Sequence, residues 1–183
     1  MPEYRRSWIP GGTYFFTIVT FNREHLFSDK TACRLLIDTW KDVQSRHPFT
    51  NIAACILPDH IHAIWTLPED DDSYPIRWKE IKRLFTKEYT RNHQDGIVRT
   101  RSQQLQGEAT IWHRRYWEHT IRDQDDLNAH IDYVHINPLK HGLVSMVKDW
   151  PWSSFHRYVK MGIYPEDWGG KAEIKLMGVS RGE

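Results

Sequence analysis

Cysteine is scarce: Cys33 and Cys55 are the only two in 183 residues. That excludes a disulfide-built scaffold and a cysteine-rich zinc cluster, and it suits a reducing compartment. Long apolar runs are also missing. Phe15 to Val19 is far too short for a membrane span or a signal-peptide core. A surplus of one charge is absent as well, since Lys plus Arg number 25 and Asp plus Glu 24, a formal net charge of +1. Global charge therefore names no partner. The chain has no internal repeat and no low-complexity stretch. What remains is a soluble cytoplasmic protein with enough chain for one domain and a real core.

Aromatic residues, by contrast, are plentiful. Nine tryptophans are expected mostly in the core, with base stacking as their other use. Thr13 to Thr20 is β-branched and aromatic behind Gly11-Gly12, a strand signal. From Ser28 to Arg46 the apolar positions Ala32, Leu36, Trp40 and Val43 follow a helical period, with Ser28 or Asp29 placed as the cap. Ile52 to Leu57 and His60 to Leu67 read as a hairpin turned by Pro58-Asp59. Pro75 to about Arg91 predicts a second helix with Trp78, Ile81, Phe85 and Tyr89 along one side. His93 to Glu108 reads as a loop, and Ile111 to Ile121 as a fourth strand. Asp123 to about Ile136 predicts a third helix closed by Pro138 and Gly142. This order is α+β: a ferredoxin-like βαββαβ sandwich, an antiparallel sheet with helices on one face, followed by one more helix and a tail. The expected division is residues 1–147 as a catalytic domain and 148–183 as a C-terminal extension.

The chemistry concentrates in two places. In Pro58-Asp59-His60-Ile61-His62, strand alternation puts His60 and His62 on one face while Ile61 turns to the core. Two imidazoles about 7 Å apart at their backbones can converge on one cation; an ordinary strand face is the alternative. On the third helix, Leu127, Ile131 and Val134 form an apolar stripe. Asp126, His130, Tyr133 and Asn137 form a second stripe at helical spacing. That stripe is either a set of functional groups or the solvated side of an amphipathic helix. Glu118 and His119 would support such a site at most, and Asp59 and Asp126 could assist a metal, although Asp59 is equally a turn former. His130 is a candidate helper of Tyr133, against the plainer reading of a surface histidine.

Pro58-Asp59-His60-Ile61-His62 resembles the His-hydrophobic-His motif of HUH endonucleases. Asp132-Tyr133-Val134-His135-Ile136-Asn137-Pro138-Leu139-Lys140-His141-Gly142 resembles the tyrosine helix of single-tyrosine HUH transposases. Three further stretches narrow the likeness to the REP-associated tyrosine transposases. They are Tyr4-Arg5-Arg6 with Pro10-Gly11-Gly12-Thr13, Trp117-Glu118-His119, and Trp150-Pro151-Trp152-Ser153-Ser154-Phe155-His156. The resemblance runs from Tyr4 to about Gly170. It implies Mg²⁺ or Mn²⁺ held by His60 and His62, with Asn137 where related enzymes place a third ligand, often Gln. Asn reaches one methylene less far. It also implies Tyr133 as the nucleophile that forms a covalent 5′-phosphotyrosine link to DNA.

The segment Arg77 to Arg101 holds eight basic and three acidic residues, and the second helix would present much of this charge to phosphates. Lys82, Arg83, Arg114 and Arg115 are the expected DNA contacts, joined by Arg5 and Arg6 as a basic arm. The implied function is a metal-dependent endonuclease and strand transferase on single-stranded DNA next to REP-type hairpins. The alternative is a catalytically silent protein that binds DNA hairpins. A structural zinc protein fits poorly, because two histidines do not close a tetrahedral site. Among assembly states, a monomer is favoured over the dimer that related transposases form.

Overall fold

The computed structural model describes residues 8–93 and 111–169. Arg5, Arg6 and the loop expected after His93 lie outside them. Strand β1 spans Thr13–Val19, helix α1 Lys30–Arg46, β2 Thr50–Ile56, β3 His60–Thr66 and α2 Tyr74–Asn92; then come β4 Trp117–Thr120, α3 Gln124–Lys140 and the short α4 Phe155–Lys160. The four strands form one sheet in the order β2-β3-β1-β4, with every neighbour antiparallel. This is the predicted βαββαβ arrangement with a further helix.

Local chemistry explains the element ends. The Asp29 carboxylate caps α1 by accepting from Thr31 N–H at 2.8 Å, satisfying one of the donors a helix start leaves over. The Asp123 carboxylate does the same for α3 through Asp126 N–H at 2.8 Å. Pro138 does not close α3, which continues to Lys140. A proline removes its own donor and crowds the turn before it, yet beyond it His141 N–H still reaches Asn137 O at 3.0 Å. The stop comes at Gly142, whose φ of +68° glycine adopts without strain. Strand β4 is shorter than expected: Trp112, placed in it from sequence, forms only an isolated bridge to Thr20.

Strand alternation divides the core in two. Tyr14, Phe16, Ile61 and Trp65 face α1 and α2, where Trp65 and Trp78 stack at 4.2 Å between ring centroids and Trp40 meets both edge-on. Phe15, Ala53, Cys55 and Ile64 face the other way, against Ile131, Tyr133 and Val134 of α3. The two ferredoxin-like helices thus share one face, and the tyrosine-bearing helix covers the other. Among the described residues Trp65 and Trp78 are fully buried and Trp40 is 7% exposed; Trp112, Trp117, Trp150, Trp152 and Trp168 are partly buried against the core clusters, and Trp8 is exposed. Cys33 and Cys55 are free thiols in separate core clusters. No helix of the described residues is long and apolar enough to cross a membrane.

Candidate active site

Pairing register brings the site together. Thr17 lies opposite His62 and Val19 opposite His60, so both histidines face α3 from the middle of the sheet. They are 1% and 0% exposed, and their ring centroids are 4.8 Å apart. Each has its Nδ1 occupied. His60 Nδ1 donates to Asp59 Oδ1 at 2.6 Å, and His62 Nδ1 lies 3.0 Å from the Thr17 hydroxyl. A ring nitrogen tied to a carboxylate fixes the tautomer and leaves the other nitrogen's lone pair available, as in metal-bound histidines. His60 Nε2 is that other nitrogen, and it is buried without a hydrogen-bond partner.

Electrostatics keep these groups in useful states. Burial lowers the His62 pKa well below the usual histidine value, helped by His60, His141 and Lys140. Its imidazole is therefore neutral and a competent ligand. Burial pushes the Asp59 carboxyl up, but hydrogen bonds from His60 and Arg23 outweigh it and hold the group far below the ordinary carboxylate range. Asp59 is thus ionised and hydrogen-bonded to His60 as well as being part of the turn.

Helix α3 presents the second half. The stripe read as either functional or solvated is not solvated: His130, Tyr133 and Asn137 are 2%, 3% and 0% exposed. The Tyr133 ring lies 5.3 Å from His62 and packs edge-on against Phe15 at 5.9 Å. Lys140 Nζ stands 3.4 Å from the Tyr133 hydroxyl. Asn137, a turn further on, donates from Nδ2 to Tyr133 O at 3.4 Å, and its Oδ1 is buried without a partner. A buried imidazole nitrogen and a buried amide oxygen, each lacking a donor, are the kind of groups a divalent cation satisfies. The donor chemistry on these elements fits such an ion. His141, at the end of α3, sets its ring 5.2 Å from His60.

A second cluster lies beside this one. Among the described residues, the group of three His, Cys, Asp or Glu ligand atoms within 4.8 Å of one another is His119, Asp126 and His130. Such a group could hold a cation. Its members also bond to one another: His119 Nε2 meets Asp126 Oδ2 at 2.8 Å, and His130 Nδ1 meets Asp126 O at 2.8 Å. Arg122 adds a guanidinium contact to the same carboxylate at 3.2 Å. Burial raises the Asp126 pKa, but these donors prevail and hold it at about 2. His130 is therefore not the surface histidine of the plainer reading. Burial lowers its pKa, against the pull of the Asp126 carbonyl.

Other expected residues are dispersed. Glu118 pairs with Phe16 across β4 and β1, so it faces α2 and accepts from the Tyr74 hydroxyl at 3.3 Å; the sheet separates it from His60 and His62. Arg77, counted in the basic segment, is 2% exposed and donates to Asp71, His47 O and Pro48 O. It serves the core, not a phosphate. Arg83 and Arg91 pair with Glu80 and Glu88 on α2, so that helix carries less available charge than its composition suggests. Arg114 and Arg115 are exposed. Lys82 lies over the Trp112 and Tyr116 rings at 5.7 and 5.3 Å.

Residues not singled out from sequence also line the site. Thr17 holds His62, Phe15 packs on His62, His130 and Tyr133, and Lys140 reaches the tyrosine hydroxyl. The signal for Lys140 was its place seven residues after Tyr133, two helical turns along the same face. Nothing in the sequence announced Thr17, because its role depends on the register of β1 against β3.

No protein-family model matches the chain. A Haemophilus influenzae protein with the provisional name REP-associated tyrosine transposase is 46% identical over 178 residues, 97% of this chain and 99% of that protein. An Escherichia coli REP-associated tyrosine transposase is 44% identical over 170 residues, 93% of this chain and 92% of that one. The solved structure of a REP-associated tyrosine transposase bound to a REP hairpin superimposes with a TM-score of 0.79 at 41% identity, covering 100% of this chain and 98% of the other. Identity of this order over nearly the whole length, on the same fold, means that the chain belongs to the REP-associated tyrosine transposases.

Proposed function

We propose that this transposase cuts and rejoins single-stranded DNA beside a REP-type hairpin, with Tyr133 as nucleophile and His60, His62 and Asn137 as the ligands of Mg²⁺ or Mn²⁺. The observation that carries this reading is the Tyr133 ring 5.3 Å from His62, beside a His60 Nε2 that is buried without a partner. A divalent ion held there supplies charge stabilisation at a non-bridging oxygen of the scissile phosphate. Its support includes the relative solved with a REP hairpin.

The chain's own residues account for the rest. The Tyr133 oxygen forms a bond to phosphorus as the bond from phosphorus to the 3′-oxygen breaks. The phenol proton goes to solvent, and the departing 3′-oxygen takes one from solvent. The product is a 5′-phosphotyrosine and a free 3′-hydroxyl, and attack by a second 3′-hydroxyl reverses the step. A tyrosine of ordinary pKa, about 10, needs help to lose its proton. Lys140 Nζ, 3.4 Å away, donates a hydrogen bond to the Tyr133 oxygen that attacks. Asp59 holds the His60 imidazole in its tautomer, and Thr17 orients the His62 ring. Lys82, Arg114 and Arg115 are proposed to contact the DNA backbone, with Arg5, Arg6 and Arg83 as further contacts. Residues 1–147 would carry the chemistry, in a cytoplasmic monomer.

The test uses an end-labelled oligonucleotide with the hairpin and its single-stranded flank, in Mn²⁺. The wild-type chain is expected to form a covalent protein–DNA adduct, and Tyr133→Phe to form none. Adduct that persists in Tyr133→Phe removes the nucleophile assignment. Adduct formation unchanged by chelator or by His60→Ala removes the metal assignment. Hairpin binding with no cleavage in any divalent metal supports the alternative of a silent binding protein.

A further inference from the structure

Residues 150–164 do more than trail behind the tyrosine helix. Ile56 N–H donates to Trp152 O at 2.9 Å, Ser154 N–H donates to Ala54 O at 2.8 Å, and Ala54 N–H donates to the Ser154 hydroxyl at 2.9 Å. Trp150 Nε1 and the Tyr158 hydroxyl add bonds to Ile56 O and Ile52 O, each at 3.0 Å. The segment thus takes up the outer edge of β2, which would otherwise leave unpaired backbone groups.

The same segment grips α3 on both sides of Tyr133 in the sequence. The Ser154 hydroxyl shares a hydrogen bond of 2.8 Å with His135 Nε2. The Tyr164 hydroxyl donates to the Asp132 carboxylate. Tyr164 is itself set by stacking against Trp168 at 4.4 Å and Phe155 at 5.6 Å. One hydroxyl, that of Ser154, therefore links the backbone of β2 to the helix.

Such a link has a physical purpose here. A helix seated by a broad apolar stripe finds its rotation by burial alone. Helix α3 instead buries His130, Tyr133, His135 and Asn137 beside Ile131 and Val134, and apolar burial does not distinguish well between small rotations of so polar a surface. Directional bonds do. We infer that residues 150–164 form a strap that sets the rotation of α3 on the sheet, with Ser154 and Tyr164 as positioning residues for Tyr133. This rests on the reading of Tyr133 as the nucleophile. A displacement of about 1 Å at a reacting group can cost on the order of a hundredfold in rate.

The experiment compares full-length Tyr164→Phe, Ser154→Ala, Asp132→Ala and Asp132→Asn with wild type. Tyr164→Phe keeps the stacked ring and removes only the donor; Asp132→Asn keeps an acceptor for it. Three quantities are read: the single-turnover rate of adduct formation at saturating oligonucleotide in Mn²⁺, the hairpin dissociation constant by fluorescence anisotropy, and amide hydrogen exchange. The first three variants are expected to form adduct about ten to a hundred times more slowly, with the dissociation constant within about twofold of wild type. Amides of α3 should exchange faster and those of α1 at the wild-type rate, and Asp132→Asn should stay close to wild type. Wild-type adduct rates in both Tyr164→Phe and Ser154→Ala overturn the inference. So does a rate loss matched by equal loss of hairpin binding and faster exchange throughout α1. If Tyr133→Phe still forms adduct, the nucleophile reading falls on its own. Exchange at α3 then decides the strap: faster exchange confined to α3 supports it, and unchanged exchange removes it.

Discussion

His135 makes the fold acid-sensitive in a way that one substitution should reveal. The residue sits on α3, 0% exposed, with Nε2 bonded to Ser154 and its ring edge-on to Tyr158 and Tyr164. Burial, aided by Arg157 and His156, lowers its pKa to about 3. In the unfolded chain the value returns to about 6.5. The folded pKa is thus depressed: the unfolded chain binds a proton between these values and the native protein does not. Stability from this group is complete above about pH 6.5 and is lost as pH falls toward 3. Between about pH 7 and pH 5 the unfolded chain goes from about a quarter protonated to almost fully protonated at this position, which corresponds to about 2 kcal/mol. The perturbation is His135→Gln, which keeps an amide able to bond Ser154 and cannot titrate. The assay is urea unfolding at both pH values, followed by tryptophan fluorescence. His62 and His130 also have lowered pKa values, and they contribute in both proteins. Only the difference in pH dependence between the two proteins reports His135. We expect the variant to lose about 2 kcal/mol less than wild type over that interval. Equal losses, within about 0.5 kcal/mol, would refute the claim that His135 is buried and neutral.

Two further outcomes follow from the geometry. Asp59→Asn removes the charge that orients His60 through a 2.6 Å bond, so Mn²⁺ affinity, read by the shift in melting temperature, should fall about 10- to 100-fold; unchanged affinity would mean that Asp59 only makes the turn. Arg77→Met deletes a buried cation that serves two carbonyls and Asp71. It should cost about 3 kcal/mol in urea unfolding with hairpin affinity unchanged, whereas weaker hairpin binding at full stability would return Arg77 to the DNA interface.

The sheet and its helices were legible because their signals are local. Turn chemistry at Pro58-Asp59 and the helical spacing of Ala32, Leu36, Trp40 and Val43 depend on neighbours a few residues away, and all four of those apolar positions are buried. The errors came where a distant partner decides. Arg77 looked like one more cation of a basic helix until Asp71 and the carbonyls of His47 and Pro48 surrounded it. Glu118 is adjacent in sequence to His119 and, by the same alternation that unites His60 and His62, points to the opposite face. Pro138 marked an expected helix end, yet the bonds of the following turn carried α3 past it.

By itself the sequence determined that His60 and His62 share a face, that Tyr133 and Asn137 share a helical stripe, and that the motifs are those of tyrosine transposases. Backbone periodicity suffices for the first two, and the third rests on the resemblance of those motifs to a known family. Whether the stripe met water or the histidines was a question for the tertiary structure alone. Helix α3 is covered by the sheet on one side and by residues 150–164 on another, so its polar groups are buried and Tyr133 lies against His62. That outcome depends on contacts between residues as far apart as Ala54 and Ser154, which no local pattern encodes.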